Sequence, residues 1–268
     1  MNREKTAAST VRWRPPRSLD GLIVGIALLL IWEAAVRIGQ VPAYLLPPPS
    51  AVAMRLVTDY HSILVHTLTT TGEILLGFGL AIVVSIPMAA LLAQSQWAER
   101  VLHPILVLSQ TVPKVAVAPL LVVWFGFGLA PKVLIAFTMC FFPIVVDTLT
   151  GFKSAPAHLR WLALSTGASR WQTFLHFQVP AALPHIFSGI KVASTLAIVG
   201  AVVGEFVAAD RGLGYQLIVA NGTLDVTLSF TVLVVLSIMG VVLYGLVDLV
   251  ERLALPWHVS QRVHGGGR

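Results

Sequence analysis

The stretch "STGASRWQTFLHFQVPAALP", Ser165–Pro184, decides how this chain is read. It carries a glycine, an arginine, two prolines and two aromatic-rich turns, between two of the most apolar segments of the sequence. The chain has 268 residues, of which 56% are hydrophobic and 11% charged; its mean hydropathy is +0.84. A soluble domain carries roughly 25% charged residues. Too few charges remain here to coat a surface facing water, so the chain reads as an integral membrane protein, and Ser165–Pro184 as a structured polar interruption within it.

Six apolar runs reach the length of roughly 20 residues that crosses a bilayer as a helix: 21–38, 63–93, 101–125, 130–152, 185–209 and 229–250. The second exceeds the minimum and has a kink point at Pro87. The first is the weakest, since Glu33 and Arg37 interrupt its end. The runs are too long for strands, and the alternation of a membrane barrel is absent. The expectation is an all-α membrane protein with six transmembrane helices, residues 21–258, between an N-terminal tail 1–20 and a C-terminal tail 259–268. The basic N-terminus followed by an apolar run also has the order of a secretory signal. No small-x-small cleavage site follows cleanly, so a retained first helix is expected.

The net charge of +6 reads as topology rather than nucleic-acid binding, because Lys and Arg collect on the cytoplasmic side of membrane proteins. With the N-terminus inside, that side receives Arg3, Lys5, Arg12, Arg14, Arg17, Arg100, Lys153, Arg160, Arg170, Arg252, Arg262 and Arg268. The outer side receives Arg37, Arg55, Lys132 and Arg211, while Lys114 and Lys191 fall within runs. Both termini are therefore expected in the cytoplasm, together with the loop at about 156–180. Within that loop, Leu159, Leu162, Ala163 and Thr166 recur on one helical face. Gly167 permits a turn, and Trp171, Phe174, Leu175 and Gln178 line a second face. Pro180 and Pro184 are expected to stop this second helix. Periodicity leaves two readings open: a helix lying on the bilayer, or a helix docking into a groove of a cytoplasmic partner.

The same residues resemble the cytoplasmic signature of permease subunits in binding-protein-dependent ABC importers. That signature is Glu-Ala-Ala, three residues, Gly, nine residues, then Ile-x-Leu-Pro. Ala163, Gly167 and Pro180 stand at matching positions, whereas Trp161 and Leu162 replace the glutamate and the first alanine. The stretches "IWEAAVRIG", "LLPPPSAV", "TVPKVAVAPLLVVWFGFG", "GASRWQTF", "GEFVAADRGLGYQL" and "VERLALPWH" resemble the nitrate/sulfonate/taurine-type branch. Together they run from Ile31 to His258. The resemblance implies the type I importer permease fold in the cell's inner membrane. It implies a second permease copy, two ATPase subunits and an external substrate-binding protein as partners. It also implies an ATPase-docking role for Trp161, Ala163, Gly167, Arg170, Trp171, Phe174, Leu175 and Pro180. ATP and magnesium then belong to the partner, and no cofactor to this chain. The P-loop pattern G-x-x-x-x-G-K-[ST] is approached only by "DTLTGFKS", where Asp147 and Phe152 replace both glycines. An energy source outside the chain is expected.

A charge within the bilayer costs roughly 3 kcal/mol on insertion scales and marks a candidate site. Lys114, between Pro113 and Pro119, suits a broken helix beside a cavity and an anionic substrate; its structural alternative is a pair with Glu73, Glu205 or Asp147. Glu73 lies among Gly72, Gly77 and Gly79 with no evident partner. Glu205 is placed to meet substrate, a binding protein or Arg211. Lys191 is expected to snorkel. "RGLGYQLIVANGT", Arg211–Thr223, reads as a re-entrant or surface helix. His103, His158, His176 and His185 lack metal-ligand spacing, and Cys140 reads as a packing residue. A secondary transporter would need paired midplane acids and inverted repeats, neither of which is evident. Substrates implied by the resemblance are sulfonates, nitrate, taurine, aromatic carboxylates or vitamin precursors.

Overall fold

The computed structural model describes residues 18–156, 165 and 167–256. Among the described residues the chain is helical and has no strand. The helices are α1 (Ser18–Ile38), α2 (Pro49–Thr58), α3 (Tyr60–Gln94), α4 (Gln96–Thr111), α5 (Lys114–Phe125), α6 (Leu129–Lys153), α7 (Arg170–Thr173), α8 (Val179–Ala208), α9 (Leu213–Gly222) and α10 (Val226–Ala254), with a π-helical turn at Phe174–Gln178 joining α7 to α8.

Four stretches are long and apolar enough to span a bilayer: Tyr60–Gln94, Leu129–Lys153, Trp171–Ala208 and Val226–Ala254. The run at 101–125 is not one straight helix. It divides into α4 and α5, bent by 95°, and this pair counts as a fifth candidate span if taken as one. The break falls at Val112-Pro113, where the proline has no N–H to continue the helix and its predecessor is pushed to extended backbone. Large apolar side chains cover the outward faces of α3, α8 and α10, Leu75, Val83, Val192, Val199, Val241 and Leu253 among them. In water such a surface would aggregate; in lipid it needs no cover.

The core forms where α6 packs along α8 and α3 closes against α6. Hydrophobicity cannot drive helices together within lipid, so close backbone approach must. Gly77 of α3 and Gly200 of α8 both meet Ala136 of α6. A Cβ on Gly77 would lie 2.6 Å from the Ala136 Cβ, and one on Gly200 would lie 2.6 Å from the Ala136 Cα. Cys140, one turn further along α6, is fully buried, with its Sγ 3.3 Å from the Ala193 carbonyl oxygen.

The shorter helices sit at the span ends. Glu33 near the end of α1 accepts hydrogen bonds from the Ser50 N–H at 3.0 Å and the Ser50 hydroxyl at 2.8 Å, anchoring the first turn of α2. This gives the acid that interrupts the first apolar run a structural task. At the far end of α2, Arg55 reaches Asp225 at 3.0 Å, and Asp225 in turn accepts the Leu228 N–H as N-cap of α10.

Candidate functional site

Gly167, in the segment between α6 and α7, has φ +74°, a left-handed conformation that other residues adopt only under strain. Ser169 then caps α7. Its hydroxyl accepts the Gln172 N–H at 3.2 Å, and the Gln172 side chain accepts the Ser169 N–H at 2.9 Å. This is a reciprocal capping box, and its S-x-x-Q pattern is legible in the sequence although the periodicity reading passes over it. Ser169→Ala should free the Gln172 N–H, while the backbone N–H at 169 keeps its bond to the Gln172 side chain, at a cost of about 1 kcal/mol. Faster amide exchange at Gln172, with α8 unchanged, is the measurable result.

The prolines do not stop this helix. The Val179 N–H bonds to the Phe174 carbonyl across a widened turn, and α8 continues through Pro180 and Pro184 to Ala208. A proline ring clashes with the carbonyl four residues back in a regular helix. The π turn takes up that conflict just before Pro180. Residues 170–178 and the following span are thus one continuous helical body rather than two helices with a break.

The second helical face also divides differently from its periodicity. Phe174 points inward: it is 8% exposed and tilts against Phe152 of α6 at a ring distance of 5.2 Å. Trp171 stacks on its outer side at 5.7 Å and is itself 60% exposed. Leu175, Gly167 and Pro180 are exposed as well. Arg170 opens α7. Trp161 and Ala163 lie outside the described residues.

Toward the other end of α8 a polar column runs along one face of α3. His66, Thr70 and Glu73 are spaced i, i+4 and i+7. Glu73 receives Lys132 of α6 at 2.7 Å, and both side chains are buried. Lys132 is therefore not an outer loop charge; it closes the pair for which the sequence offered Glu73 no partner. Glu205 of α8 is fully buried too. One of its oxygens accepts the Thr70 hydroxyl at 2.6 Å, and the other accepts the Gly214 N–H of α9. Arg211 instead lies 3.9 Å from Asp210, with both side chains exposed. The "RGLGYQLIVANGT" stretch forms α9, from Leu213 to Gly222.

Lys114 stands at the first position of α5, half-buried, with its ammonium 5.1 Å from the centroid of the Phe142 ring. Phe137, Phe141 and Phe142 follow one another along α6 at ring distances of 5.3 and 5.1 Å. The carboxylates proposed as alternative partners are engaged elsewhere: Glu73 by Lys132, Glu205 by Thr70 and Gly214. Asp147 faces His185 and Ser188 of α8. Lys191, expected to snorkel, has partners on a neighbouring span. It bonds to Asp248 at 2.6 Å and to Glu251, tying α8 to α10. Among the described residues no group of three His, Cys, Asp or Glu side chains is arranged to hold a metal ion.

Comparison with known proteins identifies the architecture. Residues 81–255 match the family described as binding-protein-dependent transport system inner membrane component. The riboflavin transport system permease protein RibX of Chloroflexus aurantiacus is 42% identical over 243 residues, covering 90% of this chain and 91% of that protein. The formylaminopyrimidine transport permease protein ThiX of Halalkalibacterium halodurans is 35% identical over 250 residues, covering 92% of this chain and 99% of its own length. The taurine transport system permease protein TauC of Escherichia coli is 29% identical over 265 residues, covering 95% and 96%. With its membrane-length helices and a family match over most of its length, the chain belongs to the binding-protein-dependent ABC transport permeases, the inner-membrane components of importers for small solutes.

Proposed function

We propose that this chain is a six-span permease that works as a pair of identical copies, with two ATPase subunits on the cytoplasmic side and a substrate-binding protein outside. The fifth and sixth spans in this reading are the bent α4–α5 pair and α1, whose apolar side chains Ile23, Leu28, Leu29 and Leu30 are exposed as lipid-facing residues would be. The distribution of Lys and Arg supports both termini in the cytoplasm. In that orientation the segment around α7 faces the ATPase.

The observation that carries the docking assignment is the exposed pair Trp171 and Leu175 on a capped helix that continues without interruption into α8. The Trp171–Ala208 stretch has 38 residues, well beyond the roughly 20 that cross a bilayer, so apolar surface at its α7 end extends past the lipid and asks for a partner. A helix continuous with a span transmits displacement directly. ATP-driven closure of two ATPases would shift α7, and α8 with it, between two arrangements of the bundle. Gly167 and Pro180 shape this surface from its two ends, Arg170 opens it, and Trp161 and Ala163 belong to its upstream half by resemblance.

The assignment is tested by affinity purification from native membranes. Trp171→Asp should abolish recovery of a P-loop ATPase while the permease remains monodisperse. Phe174→Asp should disturb the permease itself, because that ring packs inside. Full ATPase recovery with Trp171→Asp would overturn the docking face. Transport that follows an imposed ion gradient, with no ATPase recovered, would overturn the importer assembly.

For the substrate, we favour a heteroaromatic solute of vitamin or vitamin-precursor type. The relatives named for riboflavin and formylaminopyrimidine are 42% and 35% identical, against 29% for the taurine protein. The row Phe137, Phe141, Phe142 with Lys114 at its end offers ring faces and one cation on the half-buried side of α6. Lys114 is the pathway candidate of this reading. Glu73 and Glu205, closed in by their partners, serve the scaffold beside it. Competitive uptake of labelled riboflavin against taurine by cells expressing the whole system decides between the two classes.

A further inference from the structure

The first backbone N–H groups of a helix have no partner within the helix. In α9 the N–H groups at and just before its start are taken by side chains from two different spans. The Gly212 N–H donates to His66 Nδ1 at 2.9 Å, the Leu213 N–H to the Thr70 hydroxyl at 2.8 Å, and the Gly214 N–H to Glu205. His66 and Thr70 lie one turn apart on α3, and Glu205 lies on α8. The Tyr215 ring stacks on His66 at 6.2 Å. The glycines around Leu213 are required by this contact. A Cβ on Gly214 would stand 2.7 Å from a Glu205 carboxylate oxygen, and one on Gly212 would overlap the carboxylate.

Thr70 is the joint of the arrangement. Its hydroxyl has one proton and two acceptor positions. The hydroxyl reaches a Glu205 oxygen at 2.6 Å and the His66 carbonyl of its own helix at 3.1 Å, and an acceptor position takes the Leu213 N–H, so a single oxygen connects α3, α8 and α9. Thr70 and Glu205 are both fully buried, and water cannot replace either bond. The opposite end of α9 leads into Asp225, which Arg55 holds from α2.

We propose that Thr70 is a positioning residue of the transport cycle: through its hydroxyl, α9 is carried as one body with α3 and α8 when those spans move. This rests on the importer reading above, in which α8 receives the displacement at its α7 end. A motion that starts at Trp171 then reaches α9, some 40 residues along the chain, without a flexible joint, because the start of α9 is bolted to the same span that carries Glu205.

The test compares Thr70→Val, which keeps the shape and removes the hydroxyl, with Thr70→Ser, which keeps the hydroxyl. Hydrogen exchange is followed at the Leu213 and Gly214 amides of the permease in lipid nanodiscs. The ratio of ATP hydrolysis with and without the binding protein is measured on the native complex. Thr70→Val should raise exchange at Leu213 by about tenfold or more, leave α6 amides as in the wild type, and collapse the stimulation ratio. Thr70→Ser should restore both. Wild-type exchange at Leu213 in Thr70→Val overturns the proposal, as does an unchanged stimulation ratio despite raised exchange. Equal loss in the valine and serine variants overturns it as well. A wild-type complex that shows no ATP hydrolysis counts instead against the importer assembly, and the exchange data remain interpretable without it.

Discussion

Lys132→Met should destabilise the permease by roughly 3–5 kcal/mol, the cost of leaving one member of a buried ion pair without the other. The Lys132 ammonium lies 2.7 Å from Glu73, and the two side chains are 6% and 1% exposed. Glu73→Gln removes the carboxylate charge and strands the lysine in the same way. The double variant Lys132→Met with Glu73→Gln should recover most of the loss, since neither charge then needs a partner. A double-mutant cycle on denaturation midpoints in a fixed lipid environment measures the coupling directly. Additive single effects would show that the pair holds nothing together. The pair matters beyond its own energy because the Lys132 backbone also abuts Gly204 of α8, where a Cβ would lie 2.9 Å from the Lys132 Cα. One residue thus touches both α3 and α8.

Gly200→Val should prevent α6 and α8 from seating. The contact at this point is with the Ala136 Cα, which cannot turn aside as a side chain can. Overpacking usually costs about 1–3 kcal/mol and more where backbone must shift. A β-branched residue here adds two further carbons to a position with no room for the first. The expected result is loss of the monodisperse peak in detergent chromatography. Gly79→Ala is the matched control on α3, because a Cβ there meets nothing within 4 Å. It should leave stability unchanged or raise it slightly. Equal behaviour of the two variants would show that close approach at Ala136 does not hold the bundle.

Both predictions concern residues whose roles are invisible along the chain. Glu73 and Lys132 are 59 positions apart, and Gly200 lies on a different helix from the Ala136 it meets. Nothing local in either neighbourhood names the other. The column His66, Thr70, Glu73 could have been read as one helical face with its i, i+4, i+7 spacing, and the S-x-x-Q cap at Ser169 is likewise present in the letters. The bend at Pro113 was legible as two prolines around a lysine. The path of the chain through Pro180 was not, because it depends on a π turn that proline rules by themselves do not foresee.

Membrane residence, the apolar runs and the family were determined by the sequence alone. The first two rest on composition and on short-range periodicity, which are properties of neighbouring residues; the family rests on the resemblance of short motifs spread from Ile31 to His258. The tertiary structure decided which charges neutralise each other, which face of 170–178 turns inward, and where α9 is fastened. Burial in a helical bundle is set by the neighbouring helices, and in lipid an apolar side chain is equally at home on either face. Periodicity therefore placed Trp171, Phe174 and Leu175 on one surface, and only packing against Phe152 separated the buried ring from the exposed ones.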